Sequence, residues 1–337
     1  MRARWDRRLT REGRGTEGGR LITISRAACL AVGLAGGFVL VGCNANGLQP
    51  SLAQAGAPHA NHRQSWIAPD AKTTDLLYVS DEGTNDVDIY SYPKGTLVGT
   101  LTGFSFPEGE CTDKKGDVFV ANDDEQNVPE YARGGTTPIA ILNDAGYYPV
   151  GCSVDKKTGN LAVTNTFNTS FTNGAVAIYK HAQGDPTYYT NSVLVYPHLC
   201  GYDAKGNLDV DGFNTSFAFQ FGVLPRASAT FTDVTLNQSI GFPGGVQWDG
   251  NYVAVGDGDT NTIYQFIIAG SGGTVTGSTP LTGARDVAQF WKQGSTVIGP
   301  DTLNADVGFW SYPGGGYATQ VITGLSQPFG ATISRKK

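Results

Sequence analysis

Short apolar runs alternate with clusters of Gly, Pro, Asn and Asp along most of this chain, a rhythm that predicts strands and tight turns rather than helices. The first full unit shows the pattern. Asp75-Leu76-Leu77-Tyr78-Val79-Ser80-Asp81 is followed by Asn85-Asp86-Val87-Asp88-Ile89-Tyr90, by the run from Thr96 to Leu101, and by Pro107-Glu108-Gly109-Glu110-Cys111. Each is a set of β formers bounded by turn residues, so the unit predicts four strands. Sustained i, i+3, i+4 apolar spacing is confined to the N-terminal region, and little helix is expected beyond it.

The same order returns along the chain. The entry to the first strand of each unit reads Pro107-Glu108-Gly109, Pro149-Val150-Gly151, Pro197-His198-Leu199, Pro243-Gly244-Gly245, Ala284-Arg285-Asp286 and Pro328-Phe329-Gly330, at spacings of 42, 48, 46, 41 and 44 residues. Turns such as Asp113-Lys114-Lys115-Gly116 and Asp203-Ala204-Lys205-Gly206 follow, with glycine supplying the positive φ of a hairpin. The next strand ends at Asp81, Asn122, Asn165, Gly212 (after Asp211), Asp257 and Asp301. Six ordered copies of a four-stranded unit predict an all-β fold, a six-bladed β-propeller with four-stranded blades. The chain enters at the second strand of blade one, at Leu76, and ends with an inner strand, Gly330-Ala331-Thr332-Ile333-Ser334. That terminal strand is expected to complete blade one and close the ring.

The remaining chain changes the picture at its start. An arginine-rich stretch leads into an uncharged run from Ala27 to Gly42, short for a membrane span and flanked like an export signal. It ends in Leu40-Val41-Gly42-Cys43. Residues 1–42 therefore read as a signal peptide, 43–74 as a flexible tether in which Trp66-Ile67 first meets the domain, and 75–337 as the propeller. Eight of the 24 basic and three of the 30 acidic residues lie in residues 1–42, which leaves a net charge of −11 beyond them. A nucleic-acid partner, which requires a basic face, is not expected.

The Leu40-Val41-Gly42-Cys43 segment resembles the bacterial lipoprotein box, and the resemblance assigns lipidation to Cys43 and places the protein, exported, in the cell envelope through a membrane anchor. The repeat, Pro-x-Gly, inner strand, Asp-x-x-Gly, strand, Asp or Asn, resembles NHL and YVTN-type propeller repeats and, more distantly, gluconolactonase-like propellers. In such propellers the entry loops and the second-strand ends share one face around the central channel. The resemblance thus points to Glu108, His198 and Arg285, with Asp81, Asp211, Asp257 and Asp301, as ligand-binding residues. Strand-end Asp and Asn also accept hydrogen bonds from their own turns without any ligand.

The leading expectation is a binding or scaffold module for an unidentified protein or small-molecule ligand. The alternative is a metal-dependent, gluconolactonase-like hydrolase in which Glu108, Asn165 and Asp257 hold a calcium-like divalent cation. No Gly-x-Ser-x-Gly elbow, phosphate loop or Cys-x-x-Cys pair is present. Cys111, Cys152 and Cys200 all fall on inner strands. They are expected either as small buried thiols or with Cys111 bridged to Cys152 between successive blades. Tyr147-Tyr148 stands before an inner strand, as core packing or as a stacking surface for a sugar.

Overall fold

The computed structural model describes residues 64–337, which fall in one compact unit; the signal and lipid-box segments lie outside the described residues. Apart from two short 3-10 turns, the regular structure of the described residues is all β.

Each repeat folds as an antiparallel meander. Repeat two pairs Pro107–Thr112, Val118–Asn122, Asn127–Tyr131 and Pro138–Asn143 in order. Repeats three to five do the same, starting from Tyr147–Val154, Tyr196–Tyr202 and Pro243–Trp248. In repeat one, Asp75–Asp81 pairs on one side with Asp86–Tyr92 and on the other with the C-terminal strand Pro328–Ser334. Trp66–Ile67 adds an outer strand against Thr100 and Gly99, and Ala71 is buried. The folded domain therefore begins earlier than residue 75, and the expected tether is shortened by this strand.

Burial follows position in the meander. Inner strands are buried along nearly their whole length, as in Pro328–Ser334, whereas the outermost strands alternate, as in Gly272–Thr282. An inner strand lies between two neighbouring sheets, and an outer strand has one face in water. Six apolar clusters join successive repeats. One holds Leu76, Tyr78, Val118 and Val120 from repeats one and two. Another holds Leu77 and Val79 of repeat one with Ile298, Val307 and Phe309 of repeat six, together with Ala331 and Ile333 of the terminal strand.

The glycine of Pro-x-Gly has a packing reason. A Cβ on Gly109 would stand 2.7 Å from the Val150 carbonyl oxygen of the next inner strand, and one on Gly330 would stand 2.4 Å from that of Glu108. Inner strands approach one another too closely there for a side chain.

Repeat six departs from its expected alignment. In the other repeats the entry proline pairs with the strand-end residue, as Pro107 with Asn122 and Pro243 with Asp257. In repeat six Val287 is bridged to Asp301. Val287 thus takes the proline's place, and Ala288, not Arg285, is the counterpart of Glu108 and His198. Without a proline to mark the entry, the loop residues Ala284-Arg285-Asp286 had the right approximate spacing but the wrong register.

Candidate functional site

Strand-end carboxylates and amides hold the entry loops. Asp81 accepts from the N–H groups of Ser326 and Gln327 at 2.6 and 2.8 Å, and from Gly83 in its own turn at 3.0 Å. Asp257 Oδ1 accepts from Gly241, Phe242 and Asp259, and its Oδ2 accepts from the Thr260 hydroxyl. Asp301 accepts from Arg285 and Asp286 before the inner strand and from Leu303 and Asn304 in its own turn. Asn122 accepts from Ser105. Asp81, Asp257 and Asp301 each tie two loops that carry backbone donors, while Asn122 holds the entry loop and donates to the Asn127 side chain; this explains the recurrence of the residue type.

Repeats three and four replace the clamp. Their first hairpins run on past the strand-end position, with bulges, so that Tyr148 pairs with Phe167 and Tyr196 with Phe213. Asn165 is fully buried at this bulge. Asp211 stands one residue before Gly212 and accepts from the Leu199 N–H at 2.8 Å. Burial pushes the Asp211 carboxyl up to about 8, opposed by the Leu199 and Gly244 backbone donors.

The extended hairpins end in the same five residues, Phe167-Asn168-Thr169-Ser170-Phe171 and Phe213-Asn214-Thr215-Ser216-Phe217. Each asparagine accepts two backbone N–H groups of its turn, from Ser170 and Thr172 and from Ser216 and Ala218. Each turn puts its second phenylalanine in the left-handed region, at φ 54° for Phe171 and 56° for Phe217. In the other repeats this turn position is held by Asn85, Gln126, Asn261 and Ala305. A phenylalanine there costs on the order of 1 kcal/mol.

Seven rings from Tyr148 to Phe242 form a connected ridge, with the Tyr147–Tyr188 pair as a separate stack. Tyr147 stacks on Tyr188 at 4.6 Å, Tyr148 on Phe171 at 5.3 Å and Tyr196 on Phe217 at 5.1 Å. Phe167 bridges Phe171 to Tyr196, and Phe213 bridges Phe217 to Phe242. Phe217 remains 53 % exposed. The Tyr188 hydroxyl donates to Asp144 at 2.8 Å, and burial raises that carboxyl to about 6 against the hydrogen bonds of Tyr188, Asn165 and Tyr179.

Inside the ridge the starts of the inner strands are packed with buried side chains. His198 meets Phe213, Phe242 and Phe329 at ring distances of 6.2, 6.0 and 6.3 Å. Glu108, Val150, His198, Ala288 and Phe329, the second residues of five inner strands, are all buried. The expected cluster of Glu108, His198 and Arg285 at one open mouth does not form. Glu108 and His198 are packed inside, and Arg285 is exposed in the preceding loop. Among the described residues no group of three or more His, Cys, Asp or Glu is placed to hold a metal ion.

The other end of the inner strands is open. A cavity of about 340 Å³ is lined by Glu110, Cys200, Gln247, Trp248 and Trp291 and by hairpin-turn residues including Asp155 and Asp203. The Cys111–Cys152 disulfide forms part of its wall and joins the inner strands of repeats two and three. The bridged arrangement of the cysteines is the one adopted, and among the described residues Cys200 is the free thiol. Gln289 also lines the cavity; its amide donates to the Glu110 carbonyl and accepts from the Glu110 and Ala331 N–H groups. Glu110 appeared in the sequence only as one residue of an inner strand, and nothing in its spacing set it apart.

Among known proteins, no family model matches the chain, and no curated protein matches it in sequence. Among solved structures, a chain of the crystal structure of a nidogen/laminin complex matches with a TM-score of 0.65 at 13 % identity, covering 78 % of this chain and 99 % of that one. The likeness shows the fold, a β-propeller.

Proposed function

We propose that this chain is a six-bladed propeller ring held at the bacterial cell envelope by a lipid on Cys43, working as a binding or scaffold module for a protein partner. The aromatic ridge of repeats three to five is the contact surface. The observation that carries this reading is the repeated Phe-Asn-Thr-Ser-Phe turn, which holds Phe171 and Phe217 in the left-handed region where other repeats place Asn, Gln or Ala. Folding alone does not require an aromatic ring there. The exposed Phe217 and the half-buried Phe171, rimmed by Asn, Thr and Ser, give the composition of a protein contact surface. The structural likeness to a propeller from a nidogen/laminin complex is in keeping with a protein partner.

Ring closure is supported by the pairing of Pro328–Ser334 with Asp75–Asp81 and by the apolar cluster shared between repeats six and one. The four-stranded meander and its Pro-x-Gly entry support an NHL-like repeat, and the Leu40-Val41-Gly42-Cys43 box supports the anchor. The hydrolase alternative is weakened by Asp257, one of its three expected cation ligands, because both of its carboxylate oxygens serve the loop clamp.

The test is the double variant Phe171→Asn, Phe217→Asn. Asparagine relieves the left-handed strain, so the melting temperature stays within about 5 °C of the wild type. Chemical crosslinking in intact cells then recovers a discrete partner adduct with the wild type and about tenfold less with the variant. Equal adduct from a variant that melts normally removes the ridge as the contact surface.

A further inference from the structure

The two ends of the strands carry opposite charge. Lys114-Lys115, Lys156-Lys157 and Lys205 are exposed tips of the first hairpins of repeats two, three and four. Arg335-Lys336-Lys337 follow the terminal inner strand at the same end and are exposed as well. At the ridge end of the described residues the one basic side chain is Arg285, and Asp124, Glu125 and Asp259 are exposed there. Beyond residue 42 the chain is acidic as a whole, yet its basic side chains gather on the turn face.

The hairpins do not require lysine. Asp113 accepts the N–H groups of Lys115 and Asp117, and Asp203 accepts those of Lys205 and Asn207. Gly116 and Gly206 close the two turns at φ 86° and 89°. The positions between are free to vary, and repeat five closes the same hairpin with Asp249-Gly250-Asn251. The turn carboxylates are buried or half-buried, with Asp155 held by the Lys157 N–H and the Thr158 hydroxyl and Asp117 lying 3.8 Å from Lys115. The ammonium groups are left as the outermost charges of this face.

Apolar surface lies beside these tips. Pro138–Asn143 is the outermost strand of repeat two, and Ile139 and Ile141 on it are 57 % and 62 % exposed. No described strand covers that edge, whereas Trp66–Ile67 covers the outer strand of repeat one. The two isoleucines, with Phe119 and Leu142, line a groove of about 630 Å³ between repeats two and three, and its walls include Lys114, Lys115 and Lys156. Exposed aliphatic side chains framed by lysines match the boundary of an anionic bilayer, where phosphates meet acyl chains. A nucleic acid would pair with the lysines but offers nothing aliphatic to the isoleucines.

We propose that the turn face of repeats two and three docks on a bilayer of anionic phospholipid, with Lys114, Lys115, Lys156 and Lys157 on the headgroup phosphates and Ile139 and Ile141 at the edge of the acyl region. The ridge then points away from the bilayer and is free to meet a partner. The docking does not depend on a lipid at Cys43, and an anchor there permits it. Ser65 accepts from the Thr102 N–H at the ridge end. The 21 residues between Cys43 and Ser65 span at most about 70 Å, against about 23 Å for a seven-residue strand such as Asp75–Asp81.

The experiment is flotation of the full chain, carrying Cys43→Ser so that no lipid is attached, on vesicles of phosphatidylcholine alone and of phosphatidylcholine mixed with phosphatidylglycerol. A photo-reactive phenylalanine analogue replaces Ile139 in one protein and Phe217 in another. On the mixed vesicles phospholipid adducts are expected from position 139 and not from 217, and added salt reduces them. On phosphatidylcholine alone the adduct from 139 falls about tenfold. Lys114→Gln, Lys115→Gln, Lys156→Gln and Lys157→Gln together, in a protein shown to keep a cooperative melt, also reduce it at least about tenfold on the mixed vesicles. Equal adducts from both positions, as attachment through residues 1–42 alone would give, would overturn the proposal. So would no adduct from 139, an adduct that the four glutamines leave unchanged, or tighter binding to a DNA duplex than to the mixed vesicles at the same salt. The partner contact of the ridge is read separately in cells, so either reading can fail alone.

Discussion

A chain ending at Gln327 loses its cooperative unfolding transition altogether. The ten residues removed include Pro328–Ser334, which pairs residue by residue with Asp75–Asp81, from Leu76 opposite Ser334 to Asp81 opposite Pro328. Phe329 and Ile333 are buried in that strand, and each contributes about 1.5–3 kcal/mol. Leu77 and Val79 of repeat one would lose part of their cover, since they share a cluster with Ala331 and Ile333. The strand also reaches repeats two and six: the Thr112 hydroxyl donates to the Ile333 carbonyl, and the Ala331 N–H donates to Gln289. Set against a total stability of about 5–15 kcal/mol, these losses unfold the domain. Circular dichroism melting is the measurement, with removal of only Arg335, Lys336 and Lys337 as the control that keeps the wild-type transition. A cooperative melt at the wild-type temperature in the chain ending at Gln327 would mean that the terminal strand is dispensable.

Replacing Cys111 and Cys152 together by alanine is expected to have the second largest effect. The bridge spans 41 residues in sequence and joins two neighbouring sheets at the cavity wall. For a loop of that size the chain-entropy model gives about 4 kcal/mol, a fall in melting temperature on the order of 10 °C for a domain of this length. The bridge also predicts a thiol count. Denatured without reductant, residues 64–337 show one reactive thiol, Cys200, and with reductant three. Three thiols in the unreduced protein, or a double variant that melts with the wild type, would remove the bridge. A stable disulfide also fits an exported protein, which meets an oxidising compartment.

Much of the fold was legible because its signals are local. Glycine turns, strand formers and entry prolines repeat with the meander, and the terminal Gly330-Ala331-Thr332-Ile333-Ser334 matched the inner strands well enough to show its partner. Repeat six was misaligned by three residues for the same reason: it has no proline, and only the bridge between Val287 and Asp301 fixes its register. The site was harder to read. Strand-end residues were visible as a set, but whether Asp81 or Asp257 faces a ligand or a loop depends on backbone donors from distant residues, and those are long-range contacts. Glu108 and His198 were expected at an open channel mouth, and both are buried. The burial of His198 follows from its packing against Phe242 and Phe329, which spacing does not reveal. The repeated Phe-Asn-Thr-Ser-Phe was available in the sequence as an identical pentapeptide in two adjacent repeats, and it marks the ridge more directly than any charged residue does.

The proposed contact ridge lies at one end of the strands, and the hairpin turns lie at the other. The most direct measurement places a photo-reactive phenylalanine analogue at Phe217, on the ridge, and in a separate protein at Lys205, in the hairpin turn at the other end of the same repeat. Both are exposed, so both variants should fold and be exported alike. After illumination in the cells that make the protein, a discrete adduct with one envelope protein from position 217 and none from 205 is the predicted result. The same adduct from both positions, or an adduct from 205 alone, would contradict it.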